Sequence, residues 1–360
     1  MAAPDASVSA AAAAPEKARG GRLSSRTWLR IGLVLAAVWF AISLFPLYFV
    51  AVTAFKPPIA VSQGPTYIPF VDFEPTLQAF RDAASGLRGD FVGPVVSSIL
   101  VSLVATAISV LIGTMAAYAL VRFEFRVRLL SGVLFAAISI GGFVLLTELW
   151  EWRVPYALGT VMVVALAAAI AANRLPLPGP VLGNRDVTFW FVSQRIFPPI
   201  VAAFALFLLY AEIGRAGLQL LDTFGGLVLA YTAFGLPFAV WLMRDFLSTV
   251  PVEVEEAALV DDIGRLRIFF QIVLPMAKPG LIATSMIVLA FIWNEFLFAL
   301  LLTSGEWQTL PILIAGQNSS RGDEWWAISV AALIAIVPMV IVAAALGRMM
   351  RSGLLSGSVK

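Results

Sequence analysis

The stretch VVSSILVSLVATAISVLIGTMAAYALV, residues 95–121, decides the fold because no charged side chain interrupts it. A helix that crosses a bilayer core needs about 20 apolar residues, so this stretch predicts a membrane span. Seven further apolar runs resemble it in size: 31–55, 129–149, 156–172, 189–211, 224–243, 281–303 and 327–349. The sequence therefore predicts an all-α, polytopic membrane protein with eight spans. Six is the minimum, because the run 156–172 is short and Glu148 lies near the end of 129–149.

The composition limits the chemistry of the chain. Hydrophobic residues make up 60% of it, charged residues 13%, and the mean hydropathy is +0.93. A soluble domain carries about 25% charged residues, so most of this chain faces lipid or other apolar helices. Cysteine and histidine are both absent, which removes thiolate metal sites, disulfides and the commonest general base. We therefore expect no enzymatic activity and no cofactor in this chain.

The Lys and Arg residues predict the orientation. With the N-terminus inside, 18 of the 24 basic residues lie on the cytoplasmic side and 6 on the other. This bias favours cytoplasmic N- and C-termini. Residues 1–27 read as a disordered cytoplasmic tail. A signal peptide is the alternative, but the run 31–55 is too long for one and no small-residue cleavage site follows it.

The cytoplasmic loop 244–280 predicts two short helices at the membrane surface. Ser248 or Thr249 can cap the first helix, and Pro251 suits its first turn. Its acidic residues suit the positive end of the helix dipole: Glu253, Glu255 and Glu256. Gly264 can end this helix in a left-handed conformation. The second helix begins at Arg265, and Pro275 followed by Pro279 stops it.

The first of these helices predicts a contact with a partner protein. Ala257 and Ala258 are small, so another surface can approach the backbone closely, and acidic residues flank them: Glu255, Glu256, Asp261 and Asp262. This pattern is typical of a helix that lies in a partner's groove. The alternative is a helix that rests on lipid headgroups, but such helices favour Lys and Arg.

The same loop resembles the E-A-A signature of ABC importer permeases. In that signature, E-A-A is followed by three residues, a Gly, nine more residues and then I-x-L-P. Glu256, Ala257, Ala258, Ile272, Leu274 and Pro275 occupy the matching positions, whereas Asp262 stands at the signature glycine. Further blocks are similar to the carbohydrate-uptake branch, on its second permease subunit: 97–125, 193–200, 222–246, 293–304 and 351–360.

This resemblance implies a domain organisation. Residues 28–129 form the first two spans with an external loop at 56–94, and 187–352 form the core permease domain with its coupling loop at 244–280. Residues 130–186 depart from the pattern and read as an inserted helical hairpin. The tail 353–360 is similar to the family's C-terminal segment, which implies contact with the ATPase subunits; a solvated end is the alternative.

The resemblance also implies the function and the partners. The chain is expected to move a sugar or oligosaccharide inward, by alternating access, across the bacterial cytoplasmic (inner) membrane. Its expected partners are a second permease, an ATPase dimer that binds ATP and Mg, an extracytoplasmic solute-binding protein and the lipid bilayer, with no nucleic acid. No G-x-x-x-x-G-K-[ST] phosphate loop occurs in this sequence. The predicted ATPase-coupling residues are Glu255, Glu256, Ala257, Ala258, Asp261, Gly264, Ile272, Leu274 and Pro275.

Two further sites are predicted outside the coupling loop. Asn294 and Glu295 interrupt an apolar run, and an intramembrane carboxylate is expected to face a cavity or a partner. We therefore expect Trp293, Asn294 and Glu295 to line the translocation pathway, the alternative being a structural hydrogen bond to the second permease. Gln317 and Asn318 lie in a polar loop that resembles the segment contacting the binding protein.

Three other functions are alternatives. An importer for a polyol, glycerol phosphate, peptide or other small solute shares every motif above. An ion-driven secondary transporter leaves the E-A-A loop without a role, and only Glu295 suggests one. A membrane enzyme is disfavoured by the absence of His and Cys.

Overall fold

The structure is a computed structural model that describes residues 25–62, 64, 66–85, 91–175, 179–319, 322–323 and 325–351. Most of the predicted tail 1–27 and all of the tail 353–360 lie outside these residues. The chain divides into two compact units, residues 1–50 and 51–360. The first unit contains most of the first helix.

The all-α prediction is confirmed. The helices in chain order are α1 (Ser25–Ala54), α2 (Pro58–Ser62), α3 (Gln78–Ser85), α4 (Val92–Arg122), α5 (Leu129–Val144), α6 (Val154–Arg174), α7 (Asn184–Ser193), α8 (Pro199–Arg215), α9 (Phe224–Ser248), α10 (Val252–Val260), α11 (Arg265–Ile268), α12 (Leu274–Met276), α13 (Lys278–Trp293), α14 (Leu297–Leu302), α15 (Leu310–Gly316) and α16 (Trp325–Arg351). Shorter helical turns are π-helical at Leu145–Leu149 and Phe269–Val273 and 3-10 at Gln194–Ile196. The strands are two residues long and pair antiparallel, β1 (Val127–Arg128) with β2 (Val181–Leu182), and β3 (Asn318–Ser319) with β4 (Gly322–Asp323).

Six helices among the described residues are long and apolar enough to cross a membrane: Arg26–Ala54, Val92–Arg122, Leu129–Leu149, Val154–Arg174, Phe224–Ser248 and Trp325–Arg348. The other two predicted spans contain breaks, and segment Arg265–Met276 together with α13 counts as a seventh span if a pair bent by 79° is taken as one. The count of eight therefore stays a prediction. Run 189–211 breaks before α8, because Pro198 and Pro199 lack N–H groups and hold Phe197 in an extended conformation. Run 281–303 breaks between α13 and α14.

The core of the second unit forms where α4, α9 and α13 pack together. Small buried residues recur every four positions along α4, which lets the neighbouring backbone approach closely: Ala105, Ser109, Gly113 and Ala117. A Cβ added to Gly113 would lie 2.5 Å from the Cβ of Ala239 in α9. This spacing explains how α4 and α9 pack along most of their lengths.

The segment that the sequence predicts to be an inserted hairpin, 130–186, contains α5 and α6, which pack against each other. Its base is closed by the β1–β2 pair and by two amide side chains. The Asn173 Oδ1 accepts from the N–H of Arg128 at 2.9 Å, and the Asn184 Nδ2 donates to the carbonyls of Leu120 and Phe123, each at 2.6 Å. The hairpin is therefore tied to the end of α4.

The predicted external loop 56–94 has structure of its own in α2 and α3. The Asp72 carboxylate accepts from the N–H groups of Ile68 and Tyr67 at 2.9 and 2.8 Å, and these bonds lower the pKa of Asp72. Lys56 is buried, donates to the Thr66 carbonyl, and lies with its ammonium 5.5 Å from the ring centre of Phe73.

Candidate functional site

Helix α10 begins the element that the sequence predicts to be functional. Pro251 precedes its first turn in an extended conformation, and Glu253 and Glu255 lie in that turn, where the helix dipole favours negative charge. The predicted caps, Ser248 and Thr249, are wrong. Their hydroxyls instead donate back to the carbonyls of Asp245 and Phe246, each at 2.7 Å, and so close the end of α9.

Two residues of α10 point inward, Glu255 and Ala258, which are 5% and 6% exposed. Residues three apart share one face of a helix. The Glu255 carboxylate accepts hydrogen bonds from the Tyr118 hydroxyl at 2.7 Å and from the Arg122 Nε at 2.6 Å. Ala258 belongs to an apolar cluster with Tyr118 and Leu247. The expectation that Glu255 and Ala258 form part of an exposed docking patch is therefore wrong.

The opposite side of α10 and the turn after it are exposed. We define the outward face as Glu256, Ala257, Val260, Asp261 and Leu266, all exposed. Val260 is 86% and Leu266 70% exposed. Apolar side chains flanked by carboxylates suit an apolar groove with a basic rim. Of the predicted docking residues, Glu256, Ala257 and Asp261 therefore lie where a partner can reach them.

The turn between the two short helices differs from the prediction. Gly264 has φ −62° and ψ 143° and precedes α11, so it is not the left-handed residue. Asp262 has φ 57° instead, at the position of the signature glycine. Asp is among the few non-glycine residues that adopt this conformation. The N–H groups of Asp262 and Ile263 donate to the carbonyls of Leu259 and Ala258, each at 3.1 Å, and close the end of α10.

The second helical segment runs through α11, a π-helical turn and α12. Ile268, Phe269 and Val273 point inward and are buried. Of the other predicted coupling residues, Ile272 and Leu274 are half-buried against the same cluster and Pro275 is exposed. The helix ends at Met276, one residue after Pro275, and segment Arg265–Met276 meets α13 at an angle of 79°. The two-helix element is thus joined directly to α13, which packs in the core of the second unit.

The predicted pathway residues have structural partners. The Trp293 Nε1 donates to the carbonyl of Ala335 at 3.1 Å, and the Asn294 Nδ2 donates to the carbonyl of Ala290 at 2.8 Å. The Glu295 carboxylate accepts from the N–H groups of Leu297 and Phe298, each at 3.0 Å. Trp293 and Glu295 are buried and Asn294 is exposed. Glu295 is shielded from lipid, as expected, but by capping α14.

The predicted binding-protein segment lies between α15 and α16. Gln317 ends α15, and Asn318 begins β3, which pairs with β4. The nearby segment 304–307 is held by Asp222, whose carboxylate accepts from the N–H groups of Glu306 and Trp307 at 3.1 and 3.0 Å. Burial alone would raise the pKa of Asp222, but these hydrogen bonds outweigh it and hold the pKa below its usual range.

One cavity of about 310 Å³ lies between α8, α9 and α14. Its walls are mainly aromatic and aliphatic, with one amide from Gln194 and rings from Phe197, Phe234 and Phe298. It is of the size and character of a small-molecule site. No cluster of three or more potential metal ligands occurs in the part of the chain that the structure describes.

Sequence reasoning missed Tyr118, Arg122 and Asp222. Arg122 entered the prediction only as one of the basic residues that set orientation. Its position at the end of an apolar run is visible in the sequence, but 133 residues separate it from Glu255, so no local pattern links the two. Asp222 lies after an apolar run and directly before Thr223, which caps α9. This pattern predicts a turn but no contact with segment 304–307.

Comparison with known proteins finds relatives that align over as much as 94% of the chain. Residues 184–354 match the protein family described as "Binding-protein-dependent transport system inner membrane component". An ABC transporter permease protein, ORF1, of Streptomyces antibioticus is 38% identical over 49% of this chain and 75% of its own. The trehalose/maltose transport system permease protein MalG of Thermococcus litoralis is 26% identical over 92% of this chain and 97% of its own.

A solved structure has a similar fold. The crystal structure is of a bacterial ABC transporter involved in the import of the acidic polysaccharide alginate. One of its chains superposes with a TM-score of 0.58, at 17% identity, over 91% of this chain and 98% of its own.

Proposed function

This chain belongs to the family of binding-protein-dependent transport system inner membrane components, and from that premise we propose that it carries a sugar or oligosaccharide inward. It is the multi-pass permease subunit of an ABC importer.

The observation that carries the proposal is the two-sided element formed by α10, α11 and α12. One side is buried against α4 and α9, and the outward face is exposed. The outward face combines two large, highly exposed apolar side chains with two carboxylates. We infer that the groove of an ATPase subunit receives it, with an apolar floor for Val260 and Leu266 and basic residues for Glu256 and Asp261.

The connection of this element to the membrane helices supports a coupling role. Segment Arg265–Met276 continues through Ala277 into α13, and α10 is attached to the end of α4. When the ATPase dimer closes on ATP, a displacement of the element would be transmitted to α13 and α4 as a rigid-body rotation. Alternation between inward-open and outward-open states follows from that rotation. ATP and Mg bind to the partner, and this chain supplies the transport pathway.

The substrate class rests on resemblance and on one relative. The Thermococcus litoralis relative is a trehalose/maltose permease and aligns over nearly the whole chain. The aromatic cavity with its single amide is compatible with a sugar ring, which has an apolar face and hydroxyl edges. A polyol, glycerol phosphate or another small solute is the second candidate.

The position of Glu295 argues against an ion-driven transporter. Its carboxylate is buried and accepts two N–H groups at the start of α14. A carrier carboxylate must exchange ions with water on both sides, whereas this one is engaged in holding a helix.

We propose cytoplasmic N- and C-termini from the distribution of basic residues. This orientation places the outward face on the cytoplasmic side and segment 304–324 on the external side, where Gln317 and Asn318 are available to a solute-binding protein. The partners are then a second permease, an ATPase dimer and that binding protein.

Reconstitution tests the proposal. The chain is purified with its co-expressed second permease and ATPase, placed in liposomes, and supplied with the binding protein and labelled maltose, trehalose or glycerol. We expect uptake of a sugar only with the binding protein and with ATP on the ATPase side. Uptake by this chain alone, driven by an ion gradient, would contradict the proposal. Uptake of glycerol and neither sugar would retain the permease and reject the sugar.

A further inference from the structure

The buried contact between α4 and α10 involves residues that no motif singles out. Glu255 precedes the E-A-A signature, and Tyr118 and Arg122 lie one helical turn apart at the end of α4. These three side chains are defined as the joint. The inference below rests on the proposed function, because it concerns how the coupling element is held.

The geometry of the joint is that of a strong buried ion pair. The Arg122 Nε donates to the Glu255 Oε1 at 2.6 Å, and the Tyr118 hydroxyl donates to Oε2 at 2.7 Å, so both carboxylate oxygens are engaged. The side chains of Arg122 and Glu255 are 12% and 7% exposed. Charge-assisted hydrogen bonds with little exposure to water are the strong ones, and they tolerate small displacements poorly.

The same guanidinium also binds the end of α9. An Arg122 terminal nitrogen donates to the carbonyl of Val250 at 2.7 Å and lies 3.5 Å from that of Leu247. The Leu247 carbonyl belongs to the end of α9, and the Val250 carbonyl belongs to the turn after it. One planar side chain therefore connects α4, α9 and α10, which a lysine could not do because it lacks the rigid fork of donors.

Helix α10 has little else to hold it. Its inward-pointing residues are Glu255 and Ala258, and the alanine contributes only one methyl group to the apolar cluster. Burial of a methyl group provides a small, non-directional stabilisation, so apolar packing alone does not fix the orientation of α10. The far end of α10 continues into a turn, and its near end follows a proline.

We propose that the joint of Glu255, Arg122 and Tyr118 makes α10 move as one body with the ends of α4 and α9 when the ATPase displaces its outward face. The three are positioning residues, and none of them touches ATP or the substrate. If the hydrogen bonds of the joint are broken, the ATPase still binds the outward face. Helix α10 then moves by itself and does not rotate the membrane helices. ATP is then hydrolysed with little transport.

The direct test is a distance measurement in the assembled complex. The chain has no cysteine, so spin labels at Glu124→Cys, just beyond α4, and Val260→Cys, on the outward face, report one distance. In the wild-type joint we expect a narrow distance distribution that stays the same with and without ATP. In Glu255→Gln we expect a broader distribution that shifts when ATP binds. Glu253→Gln, an exposed acid on the same helix, is the matched control and should leave the distribution unchanged.

The functional readout separates coupling from folding. In proteoliposomes, we expect Glu255→Gln to lower transport per ATP hydrolysed by about tenfold or more, since loss of a charge-assisted hydrogen bond changes an equilibrium by that order. Tyr118→Phe removes one bond and should give a smaller loss. A structural role alone would lower the yield of complex and leave transport per ATP in the surviving complex unchanged.

The proposal is overturned if Glu255→Gln and Arg122→Gln leave both the distance distribution and transport per ATP as in wild type. If the wild-type complex itself shows no ATP-dependent uptake, the proposed function fails. The distance between the two labels still decides whether the joint holds α10.

Discussion

At the scale of single residues, Asp262 occupies a left-handed conformation in the turn between α10 and α11, and Gly264 does not. We expect Asp262→Gly to preserve or slightly increase stability, because glycine adopts φ near 57° without strain. Asp262→Val should destabilise by about 1–3 kcal/mol, since a β-branched residue is strained at positive φ. Thermal unfolding of the purified complex measures both.

Gly264→Ala is the matched control for these variants. Its backbone is extended and an added Cβ meets no atom within 4 Å, so we expect no change in stability. Destabilisation by Gly264→Ala together with tolerance of Asp262→Val would contradict this description of the turn.

Asp222 predicts a pH dependence in segment 304–307. Its hydrogen bonds lower its pKa in the folded protein, so the stabilisation is present above the unfolded value of about 3.9 and is lost as the pH falls through the folded value. We expect hydrogen-exchange protection of the Glu306 and Trp307 amides to hold down to about pH 4 and to fall below it.

Asp222→Asn keeps a side chain that tolerates the left-handed conformation of this position, φ 53°, but removes the charge. Its protection should be lower and nearly independent of pH. Glu212→Gln is the control, because the Glu212 carboxylate pairs with Arg215 instead. The same pH profile in wild type and Asp222→Asn would show that another group is responsible.

The sequence predicted part of the candidate site at this scale. Glu256, Ala257 and Asp261 are exposed as expected, because the motif and the acidic pattern specify which helix meets a partner. The inward direction of Glu255 and Ala258 was not predictable, since small and acidic residues surround both and carry no amphipathic signal. Their partners on α4 are distant in sequence, and only the tertiary fold brings them together.

At the scale of elements, the Glu295 carboxylate caps α14 at the break between α13 and α14. Replacement by Leu leaves the buried N–H of Phe298 and the half-buried N–H of Leu297 without acceptors, at a cost of about 1–3 kcal/mol. We therefore expect Glu295→Leu to lower the unfolding temperature of the complex. Glu295→Gln retains one acceptor and should have a smaller effect.

Asn294→Leu serves as the comparison, because Asn294 is exposed and donates only to the carbonyl one turn earlier. Equal stability of wild type and Glu295→Leu would contradict the capping role. A loss of transport with unchanged stability would instead favour the pathway role that the sequence suggested.

Hydropathy alone could not reveal these interruptions. In the runs 189–211 and 281–303, the residues on both sides of the break are mostly apolar. The sequence therefore predicts one continuous span for each run. The pairs Pro198–Pro199 and Asn294–Glu295 were visible, but prolines and polar residues also occur within continuous membrane helices. Whether the helix continues depends on what satisfies the freed backbone groups, and that is a property of the folded chain.

At the scale of the whole molecule, the length and apolarity of the runs predicted the all-α membrane fold and the helical character of the inserted segment. The closure of that segment by β1, β2, Asn173 and Asn184 was not predicted. It depends on side-chain hydrogen bonds between residues about 45 to 64 positions apart. Such contacts follow from topology and have no local pattern.

Cross-linking from the outward face tests the central claim most directly. Ala257→Cys introduces a single thiol into a chain that has none, and a thiol-linked photo-cross-linker there samples what lies against α10 in inner-membrane vesicles. Gln317→Cys, at the predicted external end, is the control. We predict an adduct with an ATP-hydrolysing subunit from position 257 and none from position 317. An ATPase adduct from position 317, or only lipid adducts from position 257 in transport-competent membranes, would contradict the account.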